Sequence, residues 1–188
     1  MSRQPLSLKA RAIALLAQRE HSSTELRRKL VRIARERDAK AAARVDANAA
    51  ATADADADAD ADDSVADPSH LGEEVDALLV WLQAQGYLDE SRFVESRIHA
   101  RASRHGNLRI RQELAQHGLT PDAEQLAKLK DSEFERARSL WQRKFGAAAQ
   151  QAPQDAAERA RQMRFLAGRG FSADVVRRVL RNPAGEDD

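Results

Sequence analysis

Apolar residues recur at helical spacing along most of this 188-residue chain. Val75, Leu78, Leu79 and Leu82, for example, follow the i, i+3, i+4, i+7 pattern that places apolar side chains on one face of a helix. We therefore predict an all-α fold. Nine short helices are expected, and in chain order their apolar stripes fall within residues 8–16, 26–33, 75–82, 93–98, 110–114, 126–129, 134–145, 163–166 and 175–180.

The predicted helix ends carry suitable capping residues. Ser23 and Asp89 can cap the N-termini of the second and fourth helices, and Pro121 suits the first turn of the sixth. At three other helix ends a glycine precedes an apolar residue, in the sequences QGY, HGL and RGF. A glycine just past a helix adopts the left-handed conformation, so the next side chain folds back onto the last turn. These glycines are Gly86, Gly118 and Gly170.

Two of the glycine stops occupy equivalent places in a three-helix period. ELAQHGL (113–119) aligns with FLAGRGF (165–171), and the counterpart nearer the N-terminus is KLVRIAR (29–35), where Ala34 replaces the glycine. The second helix therefore lacks a stop signal and can continue toward Arg44. We predict three three-helix repeats. Their boundaries are residues 6–35 with 71–88, residues 89–131 and residues 132–182, followed by a disordered tail over 183–188.

Residues 36–70 are predicted to interrupt the first repeat between its second and third helices. This stretch contains TADADADADADDSV (52–65), whose alternation would normally indicate a strand, but alanine has low strand propensity. A calcium loop starting at Asp54 would need glycine in sixth place and glutamate in twelfth, where the sequence has Ala59 and Val65. We therefore expect a disordered, self-repelling acidic insertion.

Composition narrows the class of protein. The chain contains no cysteine, which excludes disulfides and thiol chemistry and suits a reducing compartment. Its N-terminus has no apolar stretch of signal-peptide length, and no run of apolar residues is long enough to span a membrane. We expect a soluble, cytoplasmic, monomeric protein without a membrane partner.

The formal charge of +1 conceals a strong segregation of charge. Residues 46–67 contain eight aspartates and no basic residue, so the rest of the chain carries +9. Residues 1–45 hold 12 Lys and Arg against 4 Asp and Glu, and arginine outnumbers lysine by 25 to 6. An arginine-rich helical body favours an anionic partner, either nucleic acid or an acidic protein surface. The alternative is that arginine simply covers solvent-facing helix surface.

The strongest candidate site is a group of five arginines in the middle of the chain. Three lie at i, i+4, i+7 on the fourth helix and two begin the next helix, across a turn at Gly106. Arginine forms bidentate hydrogen bonds with carboxylates and phosphates, so the group can bind acidic side chains or a DNA backbone. The alternative is pairing with Glu95 and Glu113, or packing of the stems on apolar surface. This arginine corner comprises Arg97, Arg101, Arg104, Arg109 and Arg111.

Other candidate sites are weaker. The histidines lack metal-ligand spacing and are expected at the surface or in caps; they are His21, His70, His99, His105 and His117. Trp81 and Trp141 lie on apolar helical faces, which favours core packing over base stacking. There is no phosphate loop, nucleophile motif or pairing of carboxylates for acid–base chemistry. We therefore predict no enzymatic activity, no metal and no cofactor.

Four segments together resemble the RecX family. They are ALLAQREHSSTELRRKL (14–30), WLQAQGYLDESRF (81–93), RHGNLRIRQELAQHGL (104–119) and RFLAGRGFSADVVRRVL (164–180). The resemblance implies an elongated array of three-helix repeats without catalysis. It also implies binding in the groove of the RecA–DNA filament, with inhibition of RecA ATP hydrolysis, strand exchange and co-protease activity in DNA repair and the SOS response. The absent glycine at Ala34 and the acidic insertion depart from the family pattern.

A direct DNA-binding regulator of helix-turn-helix type is the second hypothesis, because three-helix units with a basic element can read DNA. A recognition helix should expose base-reading polar residues, yet the third and sixth predicted helices offer few, such as Gln83, Gln85 and Gln125. The arginines instead concentrate on the first two helices of the repeats. This distribution favours the filament modulator, with single-stranded or duplex DNA as an additional partner. A helical adaptor with an unrelated partner remains a third reading, and only the family resemblance argues against it.

Overall fold

A computed structural model describes residues 6–51, 68–151 and 155–182. Within these ranges the chain is entirely helical, with no strand, so the prediction of an all-α fold is confirmed. No helix in the same ranges is long and apolar enough to cross a membrane. The eight helices are α1 (Leu8–Gln18), α2 (Ser23–Ala51), α3 (Pro68–Ala84), α4 (Glu90–Ala102), α5 (Asn107–Ala115), α6 (Ala123–Gln151), α7 (Ala156–Gly168) and α8 (Ala173–Arg181).

The helices form two compact units, one up to Glu90 and one from Ser91 onward. The first unit contains α1, α2 and α3 around a single apolar core. Leu26 and Leu30 of α2 are fully buried there against Val75 and Leu82 of α3. Burial of such side chains stabilises a helix packing by about 1.5–3 kcal/mol each.

The second unit contains two apolar cores joined by α6. Phe93, Ile110 and Leu129 belong to the core of α4, α5 and the first half of α6. Trp141 and Val179 belong to the core of the second half of α6 with α7 and α8. Together with the first unit, this gives three clusters of buried apolar side chains, each enclosed by three helical segments.

The sixth and seventh predicted helices are one continuous helix, α6, so the prediction of nine helices is wrong for the described part of the chain. The residues between the two predicted helices, 130–133, include no glycine or proline that would end a helix. Ser132 is accommodated because its hydroxyl donates to the carbonyl oxygen of Lys128 at 2.7 Å. The predicted boundary between residues 131 and 132 therefore falls inside α6.

The disorder predicted for residues 36–70 does not extend to residues 36–51, which are helical. The second helix continues through fully buried Ala34 as far as Ala51, and α3 begins at Pro68. Residues 35–51 are mostly alanine and charged residues without a helix breaker, which explains the continuation beyond the predicted end near Arg44. The alternating tract, residues 52–67, lies outside the described residues, as does the predicted tail at 183–188, so the disorder predicted for both stays a prediction.

Helix caps follow the predictions in part. Gly86, Gly118 and Gly170 have φ of 71°, 75° and 82°, which confirms the left-handed stops. Ser22, not Ser23, caps α2, since its Oγ accepts from the backbone N–H of Glu25 at 3.1 Å. Pro121 precedes the sixth helix instead of opening its first turn. The N-cap of α6 is Asp122, which exchanges hydrogen bonds of 2.8 and 3.0 Å with Gln125.

Candidate anion-binding surface

The arginine corner lies around the turn between α4 and α5. Arg97 and Arg101 extend from α4 to the carboxylate of Glu113 on α5, with nitrogen–oxygen distances of 3.3 and 2.9 Å. Arg101 also donates through Nε at 3.1 Å to the same oxygen. Two of the five predicted site residues are therefore ion-paired within the protein, in agreement with the alternative hypothesis that some of these arginines pair with Glu113.

The other three arginines of the corner, Arg104, Arg109 and Arg111, are exposed. None forms an ion pair with a carboxylate among the described residues. Arg104 follows the end of α4, whereas Arg109 lies in the first turn of α5 and Arg111 in the second. These guanidinium groups are available to an external anion.

Two arginines that sequence reasoning missed join the same turn from the last repeat. Arg169 Nη1 donates to the carbonyl oxygen of Arg104 at 3.3 Å, and Arg143 Nη2 donates to that of Ser103 at 3.1 Å. The partners are 65 and 40 residues apart in sequence. No local pattern could have revealed these contacts, because they depend on how the turns pack together.

The α4–α5 turn is held against the α7–α8 turn by backbone hydrogen bonds. The N–H of Gly106 donates to the carbonyl oxygen of Arg169 at 2.9 Å, and that of Leu108 donates to the carbonyl oxygen of Gly170 at 3.0 Å. These bonds fix Arg169 beside the arginine corner. A glycine at position 106 is needed for this approach, since a side chain would meet the opposite backbone.

Arg136 on α6 supports the turn from beneath. It is half-buried, and its guanidinium donates to the carbonyl oxygens of Ala102 at 3.1 Å and His105 at 2.8 Å and to Asn107 Oδ1 at 2.6 Å. Burial lowers the pKa of Arg136, with Glu133 opposing the shift. The carbonyl groups at the end of α4 are thereby satisfied by a fixed cation, which stiffens the turn that carries the site.

The pKa of His105 reflects the positive charge of the surrounding surface. Burial lowers its pKa, and the charges of Arg169, Arg101 and Arg109 lower it further, while a backbone hydrogen bond with Arg101 opposes them. His105 also lines a recess of about 270 Å³ together with Arg101, Arg109, Gln112, Glu113 and Gln116. Its neighbourhood therefore disfavours a further positive charge and favours an anion.

A second cationic surface lies on α2 in the first unit. Arg28, Arg32 and Arg35 recur at i, i+4, i+7 and are exposed, and we call them the α2 stripe. Arg28 and Arg35 form no ion pair with a described carboxylate, and Arg32 is 3.8 Å from Glu36. The stripe borders an open groove of about 680 Å³. The neighbouring Arg27, in contrast, is bound by Asp76 at 2.6 and 2.8 Å.

His21 contradicts the expectation that the histidines lie at the surface or in caps. It is 1% exposed, and its Nδ1 lies 3.3 Å from Glu25 Oε2. Burial lowers the pKa of His21, Arg19 adds to the shift, and Glu25 opposes it. No group of three potential metal ligands occurs among residues 6–51, 68–151 and 155–182.

Both tryptophans contribute to packing. Trp141 is 3% exposed, and its indole N–H donates to Gln162 Oε1 at 2.9 Å. Trp81 is half-buried, stacks on Tyr87 with a centroid distance of 5.9 Å and lies beneath Lys9 Nζ at 3.5 Å. Neither ring presents an open face for base stacking, consistent with the core assignment.

Comparison with known proteins identifies relatives over the whole chain. Family models for the third and second three-helix domains of RecX match residues 131–180 and 89–123. Regulatory protein RecX of Ralstonia nicotianae is 43% identical over 182 residues, covering 96% of this chain and 90% of that protein. Regulatory protein RecX of Leptothrix cholodnii is 43% identical over 189 residues, covering 100% and 96%. That of Ralstonia pickettii is 40% identical over 190 residues, covering 100% and 93%.

The resemblance noted from the sequence is thus confirmed. Relatives of this similarity are named regulatory proteins. The match to the second domain covers α4 and α5, and the match to the third covers the later part of α6, α7 and most of α8. The chain belongs to the RecX family of regulatory proteins.

Proposed function

We propose that this protein binds the RecA–DNA filament and inhibits RecA ATP hydrolysis, strand exchange and co-protease activity. The observation that carries the proposal is full-length similarity to regulatory RecX proteins combined with an open cationic surface at the α4–α5 turn. In this role the protein acts as a cytoplasmic monomer without enzymatic activity, cofactor or membrane partner. Its cellular context is homologous recombination, DNA repair and the SOS response.

The arginine corner is the proposed filament contact. Arg104, Arg109 and Arg111 present exposed guanidinium groups that can bind the acidic side chains or phosphates of a nucleoprotein filament. Arg97 and Arg101 contribute through Glu113, because their shared carboxylate fixes the outer face of α4 against α5. The residues of the corner therefore divide into three open arginines and two internally paired ones.

RecA ATPase on single-stranded DNA, titrated with this protein below equimolar ratio, tests the proposal. We expect turnover to fall with the unmodified chain and to recover with a variant carrying R104Q, R109Q and R111Q. A matched control carries R159Q, R164Q and R181Q, three exposed arginines outside the corner. Unchanged RecA turnover at equimolar unmodified protein would overturn the functional proposal, and equal inhibition by both variants would remove the corner from it.

Direct DNA binding is a second candidate function, favoured by the α2 stripe. Three guanidiniums along about 10 Å of one helix face match the repeating phosphates of a nucleic-acid backbone. Sequence-specific reading by α3 is disfavoured because its exposed face carries Glu73, Asp76 and Val80. Acidic residues there would repel a DNA groove, so we expect binding without base preference.

Binding of bare DNA at several salt concentrations separates this second function from the first. The variant R28Q/R32Q/R35Q should bind duplex more weakly, and the log–log salt slope should flatten by about 0.9 for each lost phosphate contact. The control R159Q/R164Q/R181Q removes the same charge elsewhere. A preference for particular base sequences, or equal affinity for both variants, would contradict backbone binding through the α2 stripe.

A further inference from the structure

We infer that the recess at the α4–α5 turn binds one carboxylate group of a protein partner, held by Arg109 and the protonated imidazole of His105, with the positive charge of Arg169 nearby. This inference rests on the proposed function, because it specifies the chemistry by which the arginine corner would recognise its partner. It makes the recess a pH-dependent carboxylate site.

The size and lining of the recess suit a single acidic side chain. Its volume is about 270 Å³, and every residue that borders it is polar. Gln112 and Gln116 add amide groups along one turn of α5, four residues apart. A carboxylate that enters between them and Arg109 would find neutral donors as well as a guanidinium.

The positive charges around the recess are not neutralised by acidic residues in the described part of the chain. Glu113 is its only acidic lining residue, and the carboxylate of Glu113 is already engaged by Arg97 and Arg101. Glu133 on α6, the acidic residue behind the turn, accepts instead from the N–H groups of Asn107 and Ser172. An external anion would therefore supply the missing negative charge.

His105 links this imbalance to protonation. Its backbone N–H donates to the carbonyl oxygen of Arg101 at 3.0 Å, and its carbonyl oxygen accepts from Arg136, so the residue is fixed in place. Its imidazole Nδ1 is buried and forms no hydrogen bond of good geometry with a described residue, so its interaction with the Arg101 backbone is a weak one. The charged groups around the imidazole are Arg101 from α4, Arg109 and Glu113 from α5 and Arg169 from the end of α7, while Arg136 from α6 binds the backbone carbonyl of His105.

Protonation of His105 is opposed in the empty recess and favoured in the occupied one. Burial and the charges of Arg169 and Arg101 lower the pKa of His105. A bound carboxylate reverses the sign of the local field and offers an acceptor, so the pKa rises. By linkage, binding takes up a proton and strengthens as the pH falls, by tenfold for each unit that the bound anion raises the pKa.

The shape of the recess favours a carboxylate over a DNA phosphate. Phosphates lie along the outside of a broad nucleic-acid cylinder and fit an open row such as the α2 stripe, whereas an acidic side chain projects and can enter a recess. The protein also provides its own precedent, since Arg97 and Arg101 of the same α4 face hold the carboxylate of Glu113. The partner is therefore assigned as an acidic side chain of a protein.

Titration of the full chain by NMR tests the inference, with glutarate as the carboxylate probe, dimethyl phosphate as the phosphodiester probe and chloride as the reference at equal ionic strength. The variant H105Q identifies the His105 imidazole signals. We expect glutarate to raise the pKa of His105 and to bind about tenfold more tightly at pH 5.5 than at pH 7.5. The signals of the exposed His70 and His99 serve as internal references for effects outside the recess.

Variants separate the recess from general surface charge. R109Q/R169Q should abolish the effect of glutarate on His105, whereas R159Q/R164Q, which removes the same charge from the outer face of α7, should preserve it. An identical pKa of His105 in glutarate and chloride would overturn the site. A larger effect of dimethyl phosphate than of glutarate would overturn the carboxylate assignment and identify the anion as a DNA phosphate.

The RecA assay distinguishes failure of this inference from failure of the proposed function. If glutarate binds at His105 but the unmodified protein leaves RecA turnover unchanged, the site stands and the filament function fails. If the unmodified protein inhibits RecA and H105Q inhibits equally at pH 5.5–7.5, the filament function stands and this site does not contribute to it. We expect H105Q to weaken inhibition and to remove its dependence on pH.

Discussion

Gly106 and Gly170 bring two turns of the second unit into direct backbone contact. A Cβ atom added at Gly106 would lie 2.3 Å from the carbonyl oxygen of Gly170 and 2.3 Å from the nitrogen of Phe171. A Cβ atom added at Gly170 would lie 2.5 Å from that of Arg109, and Gly170 also requires a φ of 82°. The two glycines therefore permit the contact that fixes Arg169 beside the arginine corner.

Substitution of Gly106 by alanine should separate the two turns. We expect G106A to lower the free energy of unfolding by about 1–3 kcal/mol or more, since backbone atoms must move apart to admit the methyl group. The backbone at Gly106 has a φ of −80°, so the loss would come from contact alone and not from backbone strain. Urea unfolding followed by circular dichroism measures the change.

Two other glycines provide matched controls for G106A. Gly118 has a φ of 75° but open space around its Cβ position, so G118A should cost only about 1–2 kcal/mol of left-handed strain. Gly168 ends α7 with open space and no left-handed backbone, so G168A should be neutral or stabilising. A smaller loss for G106A than for G118A would contradict the steric argument.

Glu133 caps two helices of different repeats at once. It is 4% exposed, and Oε1 accepts from the N–H groups of Asn107 at 3.0 Å and Ser172 at 3.2 Å, while Oε2 accepts from the Ser172 hydroxyl at 3.1 Å. E133A should lower the free energy of unfolding by about 2–4 kcal/mol, because each lost cap costs about 1–2 kcal/mol. E135A, on the exposed side of the same helix, is the control. Equal stability of the two variants would show that solvent can replace the caps.

Helical periodicity and the glycines that end helices are sufficient to predict much of this fold. The apolar stripes predict all-α structure. Gly118 predicts the end of α5 and Gly170 the end of α7, because glycine readily adopts the left-handed backbone conformation that such an end requires. The absence of such a stop at Ala34 also predicts an extended α2. These inferences succeed because each depends on interactions within one or two helical turns.

Features that depend on contacts between helices were predicted wrongly or were not predicted. The fusion of two predicted helices into α6 was missed because each half faces a different core, so the apolar stripe changes direction without a helix break. Burial of His21 and the approach of Arg169 to the corner depend on contacts between elements. The candidate site was predicted from the spacing of its arginines, with pairing to Glu113 as the alternative, whereas its recess and the contact of Arg169 required the structure.

The first unit should lose stability as the pH falls below about 6.5, the ordinary pKa of histidine. Because burial lowers the pKa of His21, the unfolded chain binds a proton before the folded one does, so stability is full above 6.5 and declines below it. Burial alone would raise the pKa of Glu25, but its hydrogen bond with Arg19 and the neighbouring charges lower that pKa to about 2. A second loss is therefore expected between pH 4.5 and about 2.

Urea unfolding of the W141F variant, in which Trp81 reports on the first unit, measures this pH profile. H21Q should flatten the decline between pH 7 and 5, whereas H70Q, at an exposed position, should leave it unchanged. The same steep decline in W141F and in W141F/H21Q would assign the proton uptake to another group.

The last prediction concerns the acidic tract, residues 52–67. A replacement should be confined to this tract, because Arg37 pairs with Glu74 at 3.3 Å, α2 continues to Ala51 and α3 begins at Pro68. A 16-residue Gly/Ser replacement of 52–67 keeps the length of the connection and removes seven aspartates. Folding should be retained, since the tract contains almost no apolar surface to bury.

The replacement should strengthen binding of single-stranded DNA at low salt. The tract is tethered between α2 and α3, so its aspartates are held at high effective concentration near the α2 stripe and compete there with phosphates. We expect affinity to rise roughly three- to tenfold at about 20 mM salt, the scale of surface charge interactions, and the gain to vanish near 0.5 M as screening increases. A scrambled tract with the same seven aspartates should bind like the parent. Identical low-salt curves for the parent and the Gly/Ser variant would identify residues 52–67 as a spacer, since competition requires the aspartates to occupy the arginines that DNA needs.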